Sequence, residues 1–202
     1  MTNLNWGILG SGWIAQEMGE ALQAVNGSIY GVYSANPAHA QRYAATYSVA
    51  HCYRSAEEML ADPDIDIIYI ATPHNLHYQF IRQALLAGKH VFCEKSITVN
   101  ASLLQECAAL AAEKNLVICD GVTLFHMPLY KELKKRIASG AIGQVKMVQV
   151  NFGSCKEYDV NNRFFSKELA GRPFGHRRIC RILRPLLYGQ QGQCCPHHCQ
   201  LL

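Results

Sequence analysis

The chain has 202 residues, 50% hydrophobic and 17% charged; this is the composition of a globular protein of one large domain or two small ones, and it excludes collagen-like, mucin-like and low-complexity classes. The formal charge of +4 belongs to the end: residues 171–202 hold five arginines and no acid, whereas residues 1–170 carry 14 Lys+Arg against 15 Asp+Glu. A body so close to neutral presents neither a nucleic-acid footprint nor a membrane-binding surface.

From residue 4 to about 120, short apolar runs alternate with helical patterns, which predicts a βαβ series with a parallel sheet. Trp6 to Leu9 and Ser28 to Tyr33 read as the first two strands. Ser55 and Glu58 form a capping box, and Ile67 to Ala71 is the third convincing strand. An apolar stripe of Leu76, Phe80, Ala84 and Leu85 predicts a helix that stops at Gly88. His90 to Cys93 follows as a strand. Asn100 caps a helix with Leu103, Leu104, Cys107, Leu110 and Ala111 on one face, and Leu116 to Cys119 is the next strand. Pro128 suits the first turn of a helix reaching Ser139 and Gly140, after which Val145 to Phe152 reads as another strand. There is no internal repeat. Cys52, Cys93, Cys107, Cys119 and Cys155 are scattered through these segments, as expected of reduced core residues. The longest apolar runs fall far short of the roughly 18 residues that span a bilayer. The N-terminus lacks a basic region followed by an apolar one, so a cytoplasmic location is expected.

Three segments carry chemistry. In GILGSGWIA, Gly10, Gly12 and Ala15 follow the first strand and open the first helix, the GxGxxA form of a dinucleotide fingerprint. Gly10 permits the tight turn, Gly12 lets the backbone approach a pyrophosphate, and Ala15 lets helix and strand pack closely. The carboxylate that holds the ribose of NAD is expected about 20 residues on, yet no acid stands between Glu20 and Glu57. Ser34 and Asn36, with Arg42, are able to accommodate a 2′-phosphate, which favours NADP; read as ordinary turn residues, they leave either cofactor open. The second segment, ATPHNLHY from Ala71 to Tyr78, lies at the carboxyl end of a strand, where ligands sit in open α/β sheets. The third, Glu94-Lys95-Ser96, follows HVFC in the same way, and a lysine on that rim is placed to orient a substrate hydroxyl or donate a proton.

Together GILGSGWIA, YIATPHNLHY, GKHVFCEKSITVN and DGVTLFHMPLY, in this spacing, resemble the glucose-fructose oxidoreductase, inositol dehydrogenase and rhizopine catabolism (Gfo/Idh/MocA) family of NAD(P)-dependent oxidoreductases. The resemblance covers about residues 4–170 and is nearest to the branch of dihydrodiol and xylose dehydrogenases. It implies an α/β chain: a doubly wound Rossmann domain over 1–121, then, from 122 to 170, the start of an α/β substrate domain that often supplies a homo-oligomer interface. It also implies hydride transfer between NADP or NAD and a sugar, polyol or diol. Carried over by motif, Gly10, Ser11, Gly12, Trp13 and Ile14 would hold the pyrophosphate. Thr72, Pro73, Asn75 and His77 would line the dinucleotide. Glu94 and Lys95 match the family's EKP element, with Lys95 beside the hydride-transfer centre. Ser96 stands where the family has proline, which is expected to lose a rigid turn and the local isomer the proline sets.

The family next places a glycine pair, then an Asp and a Tyr or His for substrate binding and proton transfer. This chain instead changes composition at Arg172. Read one base later, degenerate codons from Gly171 to about Leu187 can encode GALLDIGVYAASFARYF, the missing segment with its Asp and Tyr. Residues 171–202 are therefore expected to be an out-of-frame, disordered tail. The literal product is expected to bind NADP(H) weakly and to have little or no dehydrogenase activity. CCPHHC within the tail lacks the paired CxxC spacing of a structural zinc site, so no metal is expected. A non-enzymatic nucleotide-binding sensor or accessory protein is the alternative reading.

Overall fold

The computed structural model describes residues 4–148. Cys155, the second half of the strand expected over Val145 to Phe152, the remainder of the second domain and the tail with its Cys/His cluster lie outside the described residues.

The elements run β1 (Asn5–Leu9), α1 (Trp13–Ala24), β2 (Ser28–Tyr33), α2 (Pro37–Tyr47), β3 (His51–Cys52), α3 (Ala56–Ala61), β4 (Ile67–Ile70), α4 (His77–Leu86), β5 (His90–Cys93), α5 (Ala101–Glu113), β6 (Ile118–Asp120) and α6 (Pro128–Ala138). The six strands form one sheet in the order β3-β2-β1-β4-β5-β6, with every pair parallel. Parallel strands are covered on both faces, which is why these read as continuous apolar runs. Successive residues supply opposite layers. Leu9, Ile68 and Ile70 pack with Ile81, Ala84, Leu85 and Cys107, while Ile8, Val32 and Tyr69 pack with Ala15, Leu22 and Tyr43.

The register aligns the carboxyl ends. Leu9 sits opposite Tyr33 and Ile70, Ile70 opposite Cys93, and Cys93 opposite Asp120. Gly10, Ser34, Ala71, Glu94 and Gly121, each one residue further on, therefore form a single rim. The strand order reverses between β1 and β4, so the chain leaves β1 and β4 in opposite directions and opens a crevice there.

Local signals hold in detail. The Ser55 hydroxyl accepts the Glu58 N–H at 3.1 Å, and Glu58 reaches back to the Arg54 N–H at 2.7 Å. Asn100 caps α5 through the Ser102 N–H at 2.9 Å. Lys89, 6% exposed, directs its ammonium at the Asp62 and Ile65 carbonyls, at 2.6 and 2.7 Å. Some expectations change. The last strand begins at Ile118, not Leu116, because the Val117 N–H turns to the His90 ring at 3.0 Å. The stripe on α4 buries Ile81 and His77 along with Ala84 and Leu85, while Leu76 and Phe80 are only partly covered. Cys93 and Cys107 are buried and outside any disulfide, but Cys52 is exposed, because it lies on the two-residue edge strand β3.

Contacts divide the described chain after Val122. The second unit, as described, holds a single 3₁₀ turn (Thr123–Phe125) and α6, whose first residue is Pro128. Lys135 and Arg136 lie in its last turn, where cations favour the helix dipole. Residues 145–148 have no regular structure, so the start of the expected strand is absent there.

Gly19 is where α1 and α2 meet. Tyr43 and Tyr47 donate from their hydroxyls to the Ala15 and Gln16 carbonyls, at 3.0 and 2.9 Å. A Cβ on Gly19 would lie 2.7 Å from the Tyr47 ring and 2.8 Å from the Tyr43 hydroxyl. Helix propensity alone would make Gly19→Ala stabilising by about 1 kcal/mol. Overpacking against two anchored rings reverses the sign, and urea unfolding should show a net loss of about 1–3 kcal/mol.

Candidate functional site

The turn from β1 into α1 is built by two glycines with different roles. Gly10 has φ +96°, and a Cβ there would sit 2.9 Å from the Ala71 carbonyl group and 3.2 Å from the Thr72 nitrogen. The backbones of β1 and β4 can therefore close only over glycine. Gly12 caps α1 with an extended backbone and no side-chain hydrogen bond, and a Cβ there would meet nothing within 4 Å. Open space thus lies at the amino end of a 12-residue helix whose first turn carries no acid. The first N–H groups of a helix have no intrahelical partner and attract an anion. Ala15 is fully buried beneath the turn, Ile14 partly covered, and Trp13 52% exposed. Ser11 is 8% exposed, and its buried hydroxyl has no hydrogen-bond partner among the described residues.

Across the crevice, Thr72 follows β4, and its buried hydroxyl is likewise unpartnered among the described residues. Pro73 leads into a 3₁₀ turn (His74–Leu76) that leaves Asn75 exposed. His77 opens α4 fully buried, with Nδ1 2.9 Å from the Ser96 carbonyl and Nε2 2.8 Å from the Thr72 carbonyl. A neutral ring donates at one of these, and only the charged ring donates at both. Burial pushes the imidazole below its usual range, and the two carbonyls together with the Glu94 carboxylate oppose that shift only partly.

Glu94 and Lys95 follow β5. One Glu94 oxygen accepts the Tyr69 hydroxyl at 2.8 Å, and the other accepts the Lys95 N–H at 3.3 Å. Tyr69 is 1% exposed; burial and the adjacent Glu94 carboxylate drive its phenol far above the usual range, so it remains a donor. Gly121 leaves room for the carboxylate, since a Cβ there would lie 2.8 Å from Glu94 Oε1. The Lys95 backbone is thereby held on both sides, because the ring Nε2 of His74 lies 2.7 Å from its carbonyl oxygen. Its side chain is exposed. The Lys95–Ser96 peptide is cis, so the local isomer expected to be lost with the proline is present.

The structure therefore brings Gly10, Ser11, Gly12, Thr72, Glu94 and Lys95 to one rim; His77 departs from expectation, because it is fully buried beneath the rim with both ring nitrogens on backbone carbonyls and does not line the crevice. Ser34 lies on the same rim, beyond β2. Asn36 departs from expectation, because its side chain accepts the Ala38 N–H at 3.0 Å and so caps α2. Tyr69, His74 and Gly121 are the participants that sequence reasoning did not single out. Gly121, directly after a strand in DGVT, carries a readable signal; Tyr69, inside an apolar run, does not.

A glycine turn at the switch point of a six-stranded parallel sheet, with an orphaned hydroxyl on each side of the crevice at Ser11 and Thr72, defines a nucleotide-binding Rossmann domain. The Gfo/Idh/MocA family model, described as an oxidoreductase family with an NAD-binding Rossmann fold, matches residues 4–121, and the chain belongs to this family. It is 32% identical over 169 residues to a trans-1,2-dihydrobenzene-1,2-diol dehydrogenase of Xenopus tropicalis, covering 82% of this chain and 51% of the relative. It is 35% identical over 156 residues to a D-xylose 1-dehydrogenase (NADP(+)) of Hypocrea jecorina, covering 70% and 40%. Among solved structures, a 3-ketoreductase of Actinomadura kijaniata in complex with NADP and TDP-benzene superposes with a TM-score of 0.66 at 25% identity, covering 69% of this chain and 43% of that one. Apo scyllo-inositol dehydrogenase of Lactobacillus casei gives 0.65 at 26% identity, covering 70% and 43%. The chain spans about half the length of the curated relatives it matches. No helix among the described residues is long and apolar enough to cross a membrane.

The lowered pKa of His77 has a definite sign in stability. The unfolded ring takes up its proton near pH 6.5 and the folded one only below that, so stability is fully present above 6.5 and is lost as pH falls through and below that value. Melting temperature should drop between pH 7.5 and 5.5 more steeply for the native chain than for His77→Asn, which cannot charge. Equal slopes would show that His77 is not the group responsible.

Proposed function

We propose that this chain is the cofactor-binding part of an oxidoreductase that moves a hydride between a nicotinamide dinucleotide and a carbon bearing a hydroxyl or carbonyl in a sugar, polyol or diol. The single observation that carries the reading is the rim. An open helix terminus at Gly12, two buried hydroxyls without partners at Ser11 and Thr72, and a lysine held by its backbone converge on one crevice. The relatives named above act on a diol and a sugar by name, which supports the substrate class.

The bound dinucleotide supplies the hydride donor or acceptor. Ser11, Gly12, Trp13 and Ile14 would receive the pyrophosphate through backbone N–H groups and the helix dipole, while Gly10, whose N–H donates to the Tyr33 carbonyl at 2.8 Å, shapes the turn. Thr72, Pro73 and Asn75 would line the path toward the nicotinamide, while His77, fully buried, ties that segment to the turn after β5. Glu94 is the anchor: it takes one hydrogen bond from Tyr69 and one from the Lys95 backbone. Lys95 then projects its ammonium beside the reacting carbon, where it binds the substrate oxygen and assists its proton transfer. The near-neutral body fits a small-molecule substrate with no nucleic-acid partner, and a cytoplasmic, homo-oligomeric enzyme is consistent with the family.

Gly12→Val separates folding from binding. The new methyl groups enter space that is empty in the protein, so thermal stability should change by no more than about 1 kcal/mol. Fluorescence titration with NADPH should lose affinity by about tenfold or more, a difference of about 1.4 kcal/mol. Unchanged affinity in a folded Gly12→Val would overturn the site.

A further inference from the structure

Glu94 is the first residue beyond β5 and stands on the rim, one strand away from the turn after β4. Its half-buried carboxylate is held from three directions. The Tyr69 hydroxyl donates to one oxygen at 2.8 Å, and the Lys95 N–H donates to the other at 3.3 Å. Gly121 backs the group so closely that a Cβ there would lie 2.8 Å from Oε1. Tyr69 is itself fixed, being 1% exposed and stacked on Phe92 at 5.6 Å. Both donors are neutral. The ion pairs among the described residues, Arg82 with Glu106 and Arg136 with Glu132, do not include Glu94. Burial holds the His77 imidazole below its usual range although the Glu94 charge works the other way, so that ring supplies no standing counter-charge. Asp120, which ends β6, lies opposite Cys93, one residue short of the rim, and its Oδ1 accepts the Val122 N–H at 3.4 Å. Glu94 therefore places a fixed negative charge on the rim, bonded to neutral donors.

We propose that Glu94 selects the redox form of the bound dinucleotide: its carboxylate favours the oxidised nicotinamide, which is a cation, over the reduced ring, which is neutral. The inference rests on the dinucleotide reading and gives Glu94 a charge role in addition to anchoring Lys95. In Rossmann domains the adenosine ribose lies at the end of the second strand, which leaves the β4–β5 side of the rim to the nicotinamide. Attraction between opposite charges grows as water is excluded, so a fixed carboxylate in a crevice discriminates between a charged and a neutral ring more strongly than one in bulk solvent. Lys95 carries the opposite charge, but on an exposed side chain that water and salt screen. The two neighbours thus divide by sign, the ammonium serving the substrate oxygen and the carboxylate the ring.

Isothermal titration of the full 202-residue chain with NADP⁺, NADPH and 2′,5′-ADP tests the proposal. Glu94→Gln and Glu94→Ala remove the charge, Gln while keeping an oxygen for the Tyr69 hydroxyl, and Glu94→Asp keeps the charge on a shorter arm. Circular dichroism verifies that the variants fold. The quantity read is the ratio of the NADP⁺ dissociation constant to that of NADPH. Removing the charge should raise this ratio about tenfold, while 2′,5′-ADP, which lacks the nicotinamide, stays within about twofold of its native affinity. Glu94→Asp should hold the ratio within about threefold of the native value, even where the shorter arm weakens both forms. A ratio unchanged when the charge is removed, or shifted as much by Asp as by Gln, would overturn the charge role and leave the dinucleotide site standing. A loss of 2′,5′-ADP affinity as large as that of NADP⁺ would also overturn it, since the effect would then belong to the whole site and not to the ring. Binding of neither dinucleotide by the native chain would overturn the cofactor reading and this proposal with it.

Discussion

The spacing between β1 and β4 depends on one residue without a side chain. At Gly10 the chain must turn with positive φ while its backbone lies against the Ala71 carbonyl and the Thr72 nitrogen, so any Cβ would collide with main-chain atoms that cannot rotate away. That contact keeps β1 and β4 hydrogen-bonded to their last residues, with the Ala71 N–H donating to the Leu9 carbonyl at 2.8 Å. It also aims α1 outward from the sheet at the switch point. The anion-attracting helix terminus, the orphaned Ser11 and Thr72 hydroxyls and the crevice between them all follow from that geometry.

The far side of the crevice is held by hydrogen bonds rather than by close backbone contact. His77 bridges the carbonyls of Thr72 and Ser96, and His74 meets that of Lys95. The two rings pack edge to face at 5.3 Å. Beneath them Tyr69 holds Glu94, which accepts the Lys95 N–H. Two loops that follow different strands are thereby joined into one wall before any ligand arrives. Such preorganisation is what a site needs if its lysine is to meet a reacting atom in a defined place.

Much of this was legible in the chain itself, for identifiable reasons. Strands buried on both faces are unbroken apolar runs, so β2 and β5 have the bounds the pattern implies. Caps such as Ser55 and Asn100 act within three residues and are visible as local spelling. β3 was invisible because its two residues, His51 and Cys52, are exposed and hold their place only by pairing with β2. The capping role of Asn36 was readable in principle, since Asn followed by Pro is a helix start, but a nucleotide role competed for it. The bridge from His77 to Ser96 spans 19 residues and involves a backbone carbonyl, which no side-chain pattern records. The same holds for Tyr69, whose partner Glu94 is brought near only by the pairing of β4 with β5.

The central claim is that one rim, drawn from the turns after β1, β4 and β5, receives a nicotinamide dinucleotide. Hydrogen–deuterium exchange on the full chain, with and without saturating NADPH, tests it most directly. The account predicts slowed exchange in three segments together, residues 10–16, 72–77 and 94–97, with the outer face of α5 unchanged. Exchange unaltered in all three, or protection confined to a different surface, would contradict it.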